Sequence, residues 1–270
     1  MIKLQSRHYV FAGLFVLVTF LMLLNLQFES AVSPDTRNMF TYLDSLPENS
    51  TVIVSFDHEA SSLPEMKPLG LAIMRHLFAK NIEIIGVALL AEGTGIGYRL
   101  LQQTANESGK EYGRDYVFLG FKPQYIAAIL SMGESISSTF PEDYLGNTTA
   151  ELALLKEINN YDSIAGVISL ADGSLTTHWI EYGKARYGLQ VSAAVAAAMV
   201  TTYDPYLSSG QMRALVGGLR GAAEYEQLIN HGGSGGRGML AQSFSHIYIV
   251  VLIIIGNLAY FKSRRRGGST

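Results

Sequence analysis

The residues of this chain whose types and spacing suit them to chemistry fall into two short runs. One is Glu-Gly-Thr-Gly-Ile-Gly, with glycines at 93, 95 and 97; the other is Asp57, His58 and Glu59. Glycines between an apolar run and a helix-like run let backbone N–H groups and the positive end of a helix dipole approach an anion. The spacing at Gly93, Gly95 and Gly97 is G-x-G-x-G, however. It lacks the G-x-G-x-x-G of dinucleotide sites and the Gly-Lys-Ser/Thr ending of a phosphate-binding loop. A tight turn is the first expectation there and an anion cradle the second.

Asp57, His58 and Glu59 close an apolar, β-branched run, and Asp172 closes another, Ser-Ile-Ala-Gly-Val-Ile-Ser-Leu-Ala-Asp. Ligands of open α/β sheets bind beyond the carboxyl ends of strands, so these groups fall where a site is expected. An imidazole with carboxylates can hold a divalent metal, and a carboxylate of raised pKa can serve as a general base. Consecutive strand residues point to opposite faces, which favours solvated loop charges and turn caps instead. Tyr203 and Tyr206, in Tyr-Asp-Pro-Tyr, offer two rings to close over a ligand, or a proline turn with rings at its rim. Gly93, Gly95, Gly97, Asp57, His58, Glu59, Asp172, Tyr203 and Tyr206 are thus the candidate ligand-binding residues. No catalytic residue, metal ligand or cofactor is assigned. Ser135 in Gly-Glu-Ser-Ile-Ser and Ser169 in Gly-Val-Ile-Ser-Leu miss the G-x-S-x-G nucleophile elbow, and His178, between Thr177 and Trp179, reads as a packed histidine.

The elements that must position these groups alternate. Strand-like runs at Thr51–Phe56, Asn81–Gly93, Arg114–Phe121 and Ser163–Gly173 are separated by helical patterns, such as Leu69, Ile73, Met74 and Leu77. Leu189–Val200 is read as a fifth strand. A final helix is expected over Ser208–Ile229, with Ser208 and Gln211 as a capping box and Met212, Leu215, Val216, Leu219 and Ala223 on one face. The alternation predicts an α/β fold: a mainly parallel, roughly five-stranded, doubly wound sheet flanked by N- and C-terminal transmembrane helices.

The chain has 270 residues, 48% of them hydrophobic, with no cysteine and a formal charge of -3. That charge balance supplies no basic field for nucleic acid. Tyr9–Phe28 and Ser243–Phe261 are uncharged and about the roughly 20 residues needed to span a bilayer. Lys3 and Arg7 precede the first, and Lys262, Arg264, Arg265 and Arg266 follow the second. The positive-inside rule then places both termini in the cytoplasm, with an extracytoplasmic domain on the cytoplasmic membrane. The expected division is 1–31 anchor, 32–230 globular domain, 231–242 flexible Gly-rich linker, and 243–270 membrane helix with a basic tail. Asn257, Ser243, Ser245 and His246 are expected to hydrogen-bond another helix, with Asn25 as one partner.

In Gly-Ala-Ala-Glu-Tyr-Glu-Gln-Leu and the terminal Gly-Asn-Leu-Ala-Tyr-Phe the chain resembles prokaryotic membrane proteins of uncharacterised activity. The resemblance covers much of the chain and implies the same architecture alone. The expected function is that of a membrane-tethered, non-enzymatic interaction or scaffold protein, with the lipid bilayer and a membrane-protein partner or second copy as its contacts. A small-ligand or anion sensor is the alternative, and a metal-dependent hydrolase the third.

Overall fold

The computed structural model describes residues 5–24 and 31–267. Its contacts divide the chain into two compact units, the terminal segments Met1–Phe28 with Gly236–Thr270, and the central Glu29–Gly235. The first element is helix α1 (Ser6–Leu23), whose apolar stretch Arg7–Leu23 has 17 residues. At about 1.5 Å per residue it falls short of the roughly 30 Å hydrocarbon core. Positions 25–28, which the expected Tyr9–Phe28 span includes, lie outside the described residues.

In the central unit Ser33 caps α2 (Pro34–Asp44): its Oγ accepts the Thr36 N–H at 3.4 Å, and proline fills the first helical position, where no N–H is needed. The chain then alternates through β1 (Thr51–Asp57), α3 (Leu63–Ala79), β2 (Glu83–Ala88), α4 (Gly93–Glu107) and β3 (Tyr116–Phe121). The next segment forms two helices, α5 (Tyr125–Glu134) and α6 (Ile136–Thr139). Ser135 leaves the helical conformation between them and caps α6 by accepting the Ser138 N–H at 3.3 Å. After short 3₁₀ turns come β4 (Ile164–Ala171), α7 (Leu175–His178), a π-helical turn at Trp179–Lys184, and α8 (Ala185–Tyr187). β5 (Val191–Val195), α9 (Val200–Ser208), β6 (Ala214–Gly217) and α10 (Gly218–Leu228) complete the unit.

The sheet has six strands, one more than expected, and all are parallel, in the order β3-β2-β1-β4-β5-β6. The additional strand lies inside the expected Ser208–Ile229 helix. Ser208 ends α9 instead of capping a new helix, and the Met212 N–H returns to the Tyr206 carbonyl at 2.9 Å. Ala214–Gly217 then pairs with β5, and Gly218, at φ +68°, turns the chain into α10. A four-residue apolar run carries no period of its own, so its neighbours lent it a helical one. The same segment corrects the proline turn expected at Tyr203–Tyr206, since both tyrosines lie within α9 with Pro205 between them.

This order sets β1 beside β4, where the chain reverses its direction of winding across the sheet. Successive strand residues serve two cores. Val52, Val54 and Phe56 face Met39, Met66, Ile73, Leu101 and Tyr225, while Ile53, Ile85 and Val87 face Ile129, Met132 and Trp179.

The last helix, α11, runs Ser234–Gly267. Among the described residues it is the one helix long and apolar enough, by length and composition, to cross a membrane, over Ser234–Lys262. The stretch 231–242, expected as a flexible linker, is therefore helical from Ser234 onward. Within the terminal unit, the Tyr248 hydroxyl of α11 donates to the Val10 carbonyl of α1 at 3.1 Å and covers Gly13, where any Cβ would strike it. Asn257, Ser243 and Ser245, expected to bond another helix, bond the carbonyls of Ile253, Met239 and Ala241 one turn back in α11 itself. Asn25 lies outside the described residues.

Candidate functional site

Asp57 ends β1 at the winding reversal and is 1% exposed. Alternation puts it on the same strand face as Ser55, toward the core that contains Trp179. Each carboxylate oxygen accepts two hydrogen bonds. Oδ1 takes the Ser55 hydroxyl at 2.8 Å and the Leu89 N–H at 3.2 Å; Oδ2 takes the Ser169 hydroxyl at 3.1 Å and the Trp179 indole N–H at 3.2 Å. Ser55 and Ser169 are register partners across β1 and β4, and the Thr176 hydroxyl donates to Ser169 at 2.9 Å. Burial raises the Asp57 pKa to about 6, and the four donors restrain the rise. The group thus joins β1, β2, β4 and the π-helical turn, and all its acceptor directions are used.

Around Asp57 the loops that leave the carboxyl ends of the strands are tied to one another through their backbone N–H groups. Asp172 Oδ2 accepts the Glu59 N–H at 2.9 Å, joining the loops after β1 and β4. Glu92 Oε2 accepts the Ala60 N–H at 3.2 Å, and Glu65 Oε2 accepts the Ala197 N–H at 2.7 Å. The buried Tyr203 hydroxyl donates to the Gly173 carbonyl at 2.6 Å. Tyr206 stands beside it, with ring centres 6.2 Å apart. Asp57, Glu59, Asp172 and Tyr203 are thereby gathered at one edge.

His58 is fully buried, and its Nδ1–H faces the Glu59 carbonyl at 3.2 Å. Burial lowers its pKa, which keeps the ring neutral and leaves Nε2 as an acceptor. That nitrogen is buried with no hydrogen-bond partner, as is the Thr94 hydroxyl oxygen in the first turn of α4.

The three glycines belong to the start of α4. A Cβ on Gly93 would strike the Phe56 carbonyl oxygen, and one on Gly97 would lie 2.7 Å from Phe56 Cδ2, whereas Gly95 has nothing within 4 Å. Two glycines one turn apart thus let α4 lie against the end of β1, and the third faces outward. Glu92, which precedes them at the N-cap position, already puts a carboxylate beside the positive end of the helix.

Sequence reasoning missed Ser55, Thr176, Trp179, Glu65 and Glu92, and weighed Ser169 only as a nucleophile. A signal existed for the two serines: buried parallel strands read as unbroken apolar runs, and each serine interrupts one. His178 stacks on Tyr125 with ring centres 4.6 Å apart. Among the described residues no group of three or more His, Asp or Glu side chains is placed to hold a metal ion.

No known family model matches the chain, and a search of curated proteins returns no match.

Proposed function

We propose that this protein is a membrane-anchored, non-enzymatic interaction protein, whose α/β domain docks other membrane components. The observation that carries this reading is the use of polar groups at the carboxyl edge. The carboxylates of Asp57, Asp172, Glu65 and Glu92 all accept hydrogen bonds from the domain's own strands and loops. A general base needs a free acceptor within reach of a substrate proton, and Asp57 has neither exposure nor a spare lone pair. The exposed apolar length of α11 supports anchoring, with Ile249, Ile253 and Leu258 among its outward residues.

In this reading α1 is a second, shorter membrane helix held against α11 at Tyr248, with both termini cytoplasmic and the domain extracytoplasmic. Crosslinking in the native membrane, followed by mass spectrometry of the full chain, should recover a stoichiometric partner; repeated recovery of the protein alone would overturn the reading. Because the chain has no cysteine, a single Ser209→Cys variant reports orientation. It should react with an impermeant thiol reagent in intact cells; reaction only after lysis places the domain inside.

One observation favours a small-ligand sensor as the second reading: the unpaired, buried His58 Nε2 at the edge where α/β sheets bind ligands. A compound that donates a hydrogen bond there should raise the thermal stability of the wild type and not of His58→Phe. Equal stabilisation of both proteins would remove His58 from the site.

A further inference from the structure

The motif Ala-Glu-Tyr-Glu in α10 has no part in the carboxyl edge, yet it buries two carboxylates and a phenol in succession. Glu224 is fully buried, Tyr225 is fully buried and Glu226 is 5% exposed. Consecutive helix positions project about 100° apart, so the three side chains reach three different segments. Glu224 Oε2 accepts the Ser33 N–H at 3.0 Å and the Ser33 hydroxyl at 2.5 Å, while Oε1 accepts Arg220 Nε at 2.7 Å. The Tyr225 hydroxyl donates to His76 Nδ1 at 2.8 Å, and the other His76 nitrogen donates to Asp44 at 3.4 Å. Glu226 Oε1 accepts the Gly235 N–H at 2.9 Å.

Ser33 stands near the beginning of the α/β unit and Gly235 is its last residue. At the second exit Gly233 and Gly235 are packed too closely to carry a side chain. A Cβ on Gly233 would strike the Glu226 carboxylate, and one on Gly235 would lie 2.9 Å from Ala222 Cβ. His231 also donates its N–H to the Glu226 carbonyl at 3.0 Å. Gly233 and Gly235 are therefore accounted for by close approach to α10, where a flexible tether would leave them open.

We propose that α10 is an exit clamp: Glu224 and Glu226, on either side of the core-anchored Tyr225, hold both points where the chain enters and leaves the α/β domain. Within the α/β unit, the chain at Ser33 and at Gly235 is then held by hydrogen bonds to carboxylates, the charge-assisted kind that is the stronger. Tyr225 and His76 tie the clamp to α3 and α2. The clamp does not depend on the interaction or the ligand reading, because its bonds lie within the α/β unit.

Amide hydrogen exchange of the full chain in detergent, read by mass spectrometry, tests this. Wild-type protein should protect 33–36 and 233–236 well beyond an unstructured chain. Glu224→Gln should speed exchange by about tenfold or more at 33–36 alone, and Glu226→Gln should do so at 233–236 alone, with strand peptides unchanged. Exchange of both exits at unstructured rates in the wild type would overturn the clamp, as would unchanged protection of the cognate exit in either variant. Should Glu224→Gln fail to fold, Ser33→Ala and Gly233→Ala approach the same contacts from the exit side, with the same expected and overturning results.

Discussion

Asp57 and Glu224 are both buried carboxylates that accept hydrogen bonds from more than one donor, yet their acidities move in opposite directions. Burial raises Asp57 to about 6 against four neutral donors. For Glu224 burial also acts upward, but the Ser33 hydroxyl and N–H, with Thr36 and the Arg220 guanidinium, outweigh it and hold the group below its ordinary range. The difference teaches that hydrogen bonds keep a carboxylate ionised only where burial opposes them less than it does at the sheet's centre. At the domain's margin burial opposes the Ser33, Thr36 and Arg220 hydrogen bonds less, and they turn the balance.

The largest expected effect is on Asp57→Ala. It leaves the Leu89 N–H and the Trp179 indole N–H without an acceptor at the centre of the sheet, and should cost about 3–5 kcal/mol. Urea unfolding of the full chain, followed by fluorescence of its single tryptophan, measures this. Glu224→Ala should cost less, about 1–3 kcal/mol, since Ser33 can turn to water; equal losses would dissolve the contrast. A pH series should separate the two groups by sign. Asp57 binds its proton more tightly when folded, so its contribution is greatest below 3.8, declines as pH rises to about 6 and is flat above. The displacement corresponds to roughly 3 kcal/mol, and Asp57→Asn should abolish this slope. Glu224 behaves oppositely, losing stabilisation as pH falls below its ordinary 4.5, a loss absent from Glu224→Gln. Trp179→Phe, followed by circular dichroism, removes one of Asp57's four donors and should cost about 1–3 kcal/mol. Gly95→Ala touches neither carboxylate and should be neutral or stabilise by up to about 1 kcal/mol, whereas Gly97→Ala, forced onto Phe56, should destabilise the domain. Comparable destabilisation by both would mean that Gly95 has a role beyond the helix backbone.

Much of the architecture was legible because period and length are local. The apolar runs at Thr51–Phe56 and Ser163–Gly173, and the helical spacing of Leu69, Ile73, Met74 and Leu77, sit where strands and a helix form. Ala214–Gly217 was not legible, because four apolar residues between helices have no period, and only their pairing with β5 makes them a strand. The edge was legible in part: Asp57, Asp172 and Tyr203 come together there, but their bonds join residues as far apart as 122 positions, as from Asp57 to Trp179.

The order of residues by itself determined the alternating α/β pattern, the long apolar C-terminal helix and the lack of thiol chemistry, since each follows from composition or short-range spacing. The tertiary structure alone decided that β1 lies beside β4, that Asp57 meets Trp179, and that Glu224 and Glu226 grip Ser33 and Gly235. All but the last, Glu226 with Gly235 nine positions apart, are pairings distant in sequence, and all are chosen by which buried groups can satisfy one another once the domain has folded around them.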